Sequence, residues 1–292
     1  MLVAVRRRVG DSIARTSIWC DPRLRHNARV GGPLSCNDLR VDGYGPQSYG
    51  DGIADIYDAW YGDHADTAAA VDRLTTLAAA TGTRRVLELG VGTGRLALPL
   101  VERGLDVWGV DASPAMVEQL RQKQKGAHLP VAVSDMADID LSALPGGTSA
   151  RFGLVFVASN TFFNLTSADA QARCLRRVHE LLEPGGFFAL EAFVPTVDRP
   201  TNRVEARTVA IDHVILTATR HDPATQTVDC QYIEIRESGI RLRPLTIRYV
   251  PPAELDAMAA AAGLRLVERS SDWNGTPFAE GDVAHVSLYA PH

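Results

Sequence analysis

Carboxylates and glycines at fixed spacing carry most of the chemical information in this sequence. Glu88, Gly90, Gly92 and Gly94 fall in the run Glu88-Leu89-Gly90-Val91-Gly92-Thr93-Gly94, and Asp111 follows about 20 residues later. Glycines placed between a strand and a helix let the backbone turn sharply and let a ligand approach it closely. The dinucleotide fingerprint G-x-G-x-x-G needs a further glycine at position 95, where this chain has Arg95. Glu88 beside the loop repels a pyrophosphate and favours a ligand that carries positive charge. Asp111 is placed to accept hydrogen bonds from both hydroxyls of a ribose. In Ser134-Asp135-Met136-Ala137, Asp135 is placed to accept from an adenine amino group, with Met136 over the ring. Met136 reads equally well as core filling.

These residues need short strands and helices to position them. Residues 85–89 form an apolar run that ends in the glycines and predicts a strand, with a helix from about Arg95. Residues 107–110 predict a second strand, and Ser113-Pro114 opens a helix with serine as N-cap and proline in its first turn. Residues 131–133 and 152–158 predict the third and fourth strands, and a helix covers about 168–182. Glu183-Pro184-Gly185-Gly186 then turns into a fifth strand over 187–193. Such alternation implies a parallel sheet covered on both faces, with ligands outside the carboxyl ends of the strands. Upstream, Ile53, Ile56, Tyr57, Trp60 and Tyr61 share one face of a helix over 51–61, and a second helix runs from about Asp66 to Gly82. Downstream, 209–219, 227–237 and 240–250 predict three antiparallel strands. A helix from Pro251 to Gly263 and two final strands, 264–269 and 284–289, complete the pattern.

The segments Glu88 to Gly94, Val110-Asp111-Ala112-Ser113-Pro114-Ala115-Met116, Asp135-Met136 and Leu182-Glu183-Pro184-Gly185-Gly186 resemble the successive motifs of class I S-adenosylmethionine-dependent methyltransferases. The specific motifs cover about residues 50–193, and the remainder matches by layout. Tyr57-Asp58-Ala59-Trp60-Tyr61, with the insertion after the fifth strand, is similar to aminosugar N-methyltransferases and glycine N-methyltransferase-like enzymes. The resemblance implies an α/β, Rossmann-like, seven-stranded sheet with an antiparallel β insertion that forms a lid. It implies S-adenosyl-L-methionine as cofactor, S-adenosyl-L-homocysteine as product, and no metal. The sulfonium and ammonium of that cofactor answer the charge preference that Glu88 sets. The implied cofactor residues are Tyr49, Tyr57, Tyr61, Glu88, Gly90, Gly92, Gly94, Asp111, Ala112, Met116, Asp135, Met136 and Ala158. A hydroxyl of Tyr49, Tyr57 or Tyr61 is expected on the methionine carboxylate; each ring also reads as amphipathic core.

The acceptor site is expected beyond the fourth strand, at Ala158-Ser159-Asn160-Thr161-Phe162-Phe163-Asn164. Methyl transfer from a sulfonium is an in-line displacement that alignment can accelerate by roughly 7–11 kcal/mol. A base is needed only if the nucleophile must lose a proton early. Asn160-Thr161-Phe162-Phe163 lacks the prolines of nucleic-acid amino methyltransferases, no Pro-Cys nucleophile is present, and Ser159-Asn160 does not supply the metal-binding acids of catechol-type enzymes. Glu191 and Asn160 are the catalytic candidates, with His64, His213, His221 and His285 as other possible bases. The expected substrate is a small molecule, a specialised metabolite or nucleotide-linked sugar, methylated on N or O. A nicotinamide-dependent oxidoreductase is the alternative that Arg95 and Glu88 disfavour. A non-catalytic S-adenosylmethionine-binding protein is the other.

Composition sets the outer bounds. The 292 residues are 46% hydrophobic and 22% charged, the profile of a globular chain rather than a disordered or fibrous one. A net charge of -5 argues against general nucleic-acid binding. Cys20, Cys36, Cys174 and Cys230 form no C-x-x-C pair, which fits a reducing, cytoplasmic location. No apolar run reaches the roughly 20 residues of a membrane span. Residues 1–44 are arginine-rich without apolar periodicity and are expected to be a disordered extension, or to lie upstream of the native start. The expected divisions are then a cofactor-binding core with its N-terminal helices over 45–202, the lid over 203–250 and completion of the core sheet over 251–292, with a homodimer possible.

Overall fold

Each short apolar strand of the central region is followed by a segment that carries the chain back across the sheet, so the strands align in parallel. In the computed structural model, which describes residues 43–62, 66–144, 146–195 and 202–292, these strands are β1 (Arg85–Leu89), β2 (Asp106–Asp111), β3 (Val131–Val133), β4 (Phe152–Val157) and β5 (Leu182–Phe193). With β10 (Leu264–Ser270) and β11 (Ala284–Pro291) they form a seven-stranded sheet in the order β10-β11-β5-β4-β1-β2-β3. Strand β11 runs antiparallel to both of its neighbours. The order reverses at β1, which pairs with β2 on one side and β4 on the other, and a crevice opens outside their carboxyl ends. Every residue of β4 is buried, as a strand covered on both faces requires.

Local signals place the helices. Ser113 caps α5 (Pro114–Arg121) by accepting from the Met116 N–H at 3.1 Å, and Ser167 caps α6 (Ala168–Leu181) by accepting from the Ala170 N–H at 3.1 Å. The remaining helices are α1 (Ser48–Ile53), α2 (Tyr57–Tyr61), α3 (Thr67–Ala80), α4 (Ala97–Glu102) and α7 (Pro252–Ala261). The single helix expected over 51–61 is broken between α1 and α2. Tertiary contacts decide this, because the Gly52 carbonyl and the Asp55 carboxylate both turn to Arg243.

The insertion after β5 is a separate sheet of four strands, β6 (Asn202–Val209), β7 (His213–Asp222), β8 (Thr227–Arg236) and β9 (Gly239–Arg248). Sequence reading missed β6, an almost wholly exposed edge strand with no clean apolar alternation. Strand β5 also begins at Leu182 rather than after the Glu183–Gly186 turn, with a register irregularity against β4 between Phe152 and Leu154. The expected extension lies outside the described residues except for Gly43 and Tyr44. The Tyr44 hydroxyl accepts from the Thr246 N–H of β9 at 3.0 Å. No helix of the described residues is long and apolar enough to cross a membrane.

Arg243 ties the insertion to the N-terminal helices. Its side chain is 2% exposed, donates to the Gly52 carbonyl and to Asp55 at 2.8 Å, and lies 3.6 Å from Glu234. Although burial works against it, hydrogen bonding from Arg243 is the largest influence on Asp55 and holds its carboxyl below the usual range. Removing Asp55 leaves a guanidinium inside with fewer acceptors. Asp55→Ala is expected to cost about 1–3 kcal/mol, read as a lower urea midpoint at unchanged m-value. A midpoint equal to the wild type would show that this link is not structural.

Candidate active site

After Leu89 the chain turns through Gly90, Gly92 and Gly94 at φ of 74°, 54° and 85°. Only glycine adopts these angles without strain. Gly94 is also required by packing, since a Cβ there would stand 2.5 Å from Leu120. A Cβ on Gly92 would meet nothing within 4 Å, and Gly92 lines a cleft of about 620 Å³.

The cleft is walled by the glycine loop, the ends of β2 and β3, and the segment carrying α1 and α2. Tyr49, Tyr57, Gly90, Gly92, Asp111, Ala112, Met116, Asp135 and Met136, all among the expected cofactor residues, line it. Asp111 Oδ2 accepts from the Gly92 N–H at 2.7 Å and Oδ1 from the Ser113 N–H at 2.8 Å. Burial raises the Asp111 carboxyl above its usual range against those donors. Glu88 lies deeper behind the loop at 5% exposure. Burial pushes its carboxyl up to about 8, against the pull of Arg95 and with the help of Asp111. Glu88 Oε2 has no hydrogen-bond partner among the described residues. A buried acid with one oxygen unpartnered, behind a loop that leaves open space, fits a cationic ligand, and the donor and acceptor set fits S-adenosylmethionine.

Besides Glu88, three expected cofactor residues do not line this cleft. Gly94 packs against Leu120 and Leu98, and Ala158 is buried in the core beside the sheet. Tyr61 faces an adjoining cavity of about 1060 Å³. Tyr49, Tyr57, Thr161 and Asn164 line both spaces and form the passage between them.

The floor of the second cavity is the end of β4. Ser159 and Asn160 have φ of 54° and 64°, a left-handed conformation that costs non-glycine residues roughly 1–2 kcal/mol each. Neighbouring groups hold it in place. The Ser159 N–H donates to Glu191 Oε2 at 2.7 Å, and the Phe193 N–H donates to Asn160 Oδ1 at 2.6 Å. Arg95 donates to the Ser159 hydroxyl at 2.5 Å and to the Thr67 hydroxyl at 2.8 Å. The two catalytic candidates, Glu191 and Asn160, therefore stand together on the cavity wall, each already engaged by a backbone N–H. Sequence reading missed Asp66, Tyr232 and Trp273 as lining residues and used Arg95 only to exclude a dinucleotide.

Tyrosines close the passage. Burial holds the Tyr49 hydroxyl well above its usual pKa and pushes Tyr57 up to about 12, so both are donors at neutral pH. Tyr61 hydrogen-bonds with Tyr49 and with Tyr232 of β8. Among the histidines, His213 pairs with Asp212 at 2.8 Å, and His285 is buried against Ser287 with its pKa pushed down to about 4, chiefly by burial. His221 lies on the lid, and His64 is outside the described residues. The described residues contain no group of three or more His, Cys, Asp or Glu able to hold a metal ion.

A methyltransferase-domain family model matches residues 86–186. The structure of the CcbJ methyltransferase from Streptomyces caelestis is 40% identical, aligns over 85% of this chain and 99% of that one, and superposes with a TM-score of 0.77. The sugar N-methyltransferase KedS8 from a Streptoalloteichus species shares the fold at 22% identity, with 80% and 92% of the two chains aligned and a TM-score of 0.60. The cypemycin N-terminal methyltransferase of a Streptomyces species is 25% identical over 199 residues, 67% of this chain and 78% of that one.

A Glu88 carboxyl raised by burial predicts that cofactor binding is proton-linked. With a pKa of about 8 it is mostly protonated at pH 7 in the unliganded chain, and positive charge in the cleft favours its ionised form. Binding should release a proton, so affinity for S-adenosylmethionine should rise from pH 6 toward pH 8 by up to about tenfold per unit. Because the folded pKa is raised, the same group makes the unliganded fold less stable as pH climbs through that window. Calorimetry in buffers of different ionisation enthalpy measures the proton count. Glu88→Gln should abolish the release, and pH-independent binding by the wild type would refute the linkage.

Proposed function

The chain belongs to the class I S-adenosylmethionine-dependent methyltransferases, and from that membership we propose that it methylates an amine nitrogen of a small specialised metabolite, an aminosugar or an aminosugar conjugate. The observation that carries the reading is the charge of the second cavity. Asp66 and Glu191 line it with Arg95, and Arg95 is already directed to Ser159 and Thr67. The balance favours a cationic acceptor, and the neutral tyrosine rings beside it suit an alkylammonium. The sugar N-methyltransferase that shares the fold supports the same direction.

Bound in the first cleft, S-adenosylmethionine supplies a methyl carbon activated by its sulfonium. Asp111, Asp135 and the glycine loop would hold the nucleoside end, with the Tyr49 and Tyr57 hydroxyls as donors to the other; all of them line the cleft. Glu191 would bind the acceptor as an ammonium in the second cavity; loss of one proton to solvent would free the nitrogen lone pair, which would form the C–N bond as the C–S bond breaks. The carboxylate would then face the methylated, again cationic nitrogen. The lid excludes water and selects the acceptor. A non-catalytic binder would have no use for a second cavity opening on the first.

Incubation with methyl-labelled S-adenosylmethionine and a panel of aminosugars, their glycosides and their O-only analogues tests this reading. Label should pass to amines and not to the O-only analogues. Glu191→Gln should lower kcat/KM by about 10- to 100-fold, the worth of a charged hydrogen bond, with S-adenosylhomocysteine affinity within about twofold of wild type. Transfer to hydroxyls alone, or full activity in the variant, would overturn the proposal.

A further inference from the structure

The inner face of the lid forms the wall of a third cavity, of about 1000 Å³. Strand register determines which side chains reach it. Thr217, Thr219 and His221 alternate toward one face of β7, opposite Tyr232, Cys230 and Val228 of β8. Phe193, Tyr232, Leu245 and Ile247 line both this cavity and the one containing Glu191, so the two adjoin along a shared wall.

His221 is 8% exposed. Its Nε2 lies 2.7 Å from the Tyr249 hydroxyl, and its Nδ1 has no hydrogen-bond partner among the described residues. A buried polar atom left unpaired is unfavourable, and native structures retain few of them. The methyl transfer described above makes no use of this imidazole. Its surroundings point to a ligand. The charged residues of this cavity, Arg203 and Glu205, pair with each other and cancel. The remaining wall combines threonine hydroxyls with Val228, Leu245 and Ile247.

We propose that this cavity is a distal subsite for the methyl acceptor, in which His221 Nδ1 hydrogen-bonds an uncharged hydroxyl or amide of that molecule. This assignment rests on the proposed function. The acceptor then has two parts, an amine end that meets Glu191 and a neutral end, partly apolar, that lies under the lid. Tyr249 orients the ring through Nε2. When Tyr249 donates, the neutral imidazole carries its proton on Nδ1 and offers an N–H; when Nε2 donates, Nδ1 offers a lone pair. Hydroxyls and primary amides satisfy either arrangement because they both donate and accept.

Calorimetry on the full chain saturated with S-adenosylhomocysteine tests the subsite with two probes. One is an aminosugar methyl glycoside, and the other is the same sugar extended by an amide-linked hydroxyalkyl group. The wild type should bind the extended probe about tenfold or more tightly than the short one. His221→Leu should reduce the extended probe to the affinity of the short one, leave the short probe unchanged, and leave S-adenosylhomocysteine binding intact. His221→Gln, which keeps a donor and an acceptor, should restore part of the preference. Equal affinities in the wild type, an undiminished preference in His221→Leu, or no binding of the extended probe would each overturn the subsite. Failure of the wild type to bind S-adenosylhomocysteine would instead overturn the proposed function on which the subsite rests.

Discussion

Two carboxyl groups at the ends of neighbouring strands, one buried and one half-buried at the cleft, set the terms for the rest of this protein. Glu88 and Asp111 belong to β1 and β2, which pair in parallel, so both acids reach the same end of the sheet. Burial raises the pKa of each. Uncompensated, such a pair is unfavourable; two backbone N–H groups relieve Asp111, while on Glu88 the Ala97 N–H offsets burial only in part. Glu88 keeps one oxygen unpartnered among the described residues. The fold thus holds an unmet demand for positive charge beside the glycine loop. A cofactor with a sulfonium and an ammonium meets that demand.

The segment covering these acids is fixed from two sides. Toward the core, Asp58 accepts from the Thr93 hydroxyl at 2.6 Å and pairs with Lys123 at 2.7 Å, while Asp51 accepts from the Ser113 hydroxyl at 2.6 Å. Toward the lid, Asp55 and the Gly52 carbonyl take Arg243, and Arg207 lies over the Trp60 ring at 4.7 Å. The aromatic and polar residues at the junction of the cleft and the acceptor cavity are therefore positioned by the core and the lid together. Tyr49 and Tyr57 line both spaces.

The legible part of the sequence was the part governed by local rules. The glycine loop, the Ser113 cap and the apolar runs of β1, β2 and β4 each follow from neighbours along the chain, and the cleft-lining residues from Gly90 to Met136 followed from them. What could not be read depends on contacts between distant residues. Arg243 reaches a carbonyl and a carboxylate almost two hundred positions away, and that contact accompanies the break between α1 and α2. Strand β6 was invisible because its side chains face solvent and carry no apolar alternation. Arg95 and Tyr232 enter the acceptor cavity from the glycine loop and the lid, a meeting that no spacing announces. Ala158, expected at the cofactor from the resemblance, has its side chain buried in the core, a direction that spacing along the chain does not fix.

The central claim is that the cleft beside Glu88 and Asp111 opens on the acceptor cavity at the point where the methyl group is delivered. A crystal structure of the chain with S-adenosylhomocysteine tests it most directly. The account predicts ribose hydroxyls on Asp111, adenine beside Asp135 and Met136, and the sulfur facing the passage lined by Tyr49, Tyr57, Thr161 and Asn164. A ligand bound elsewhere, or one whose sulfur faces away from that passage, would contradict it.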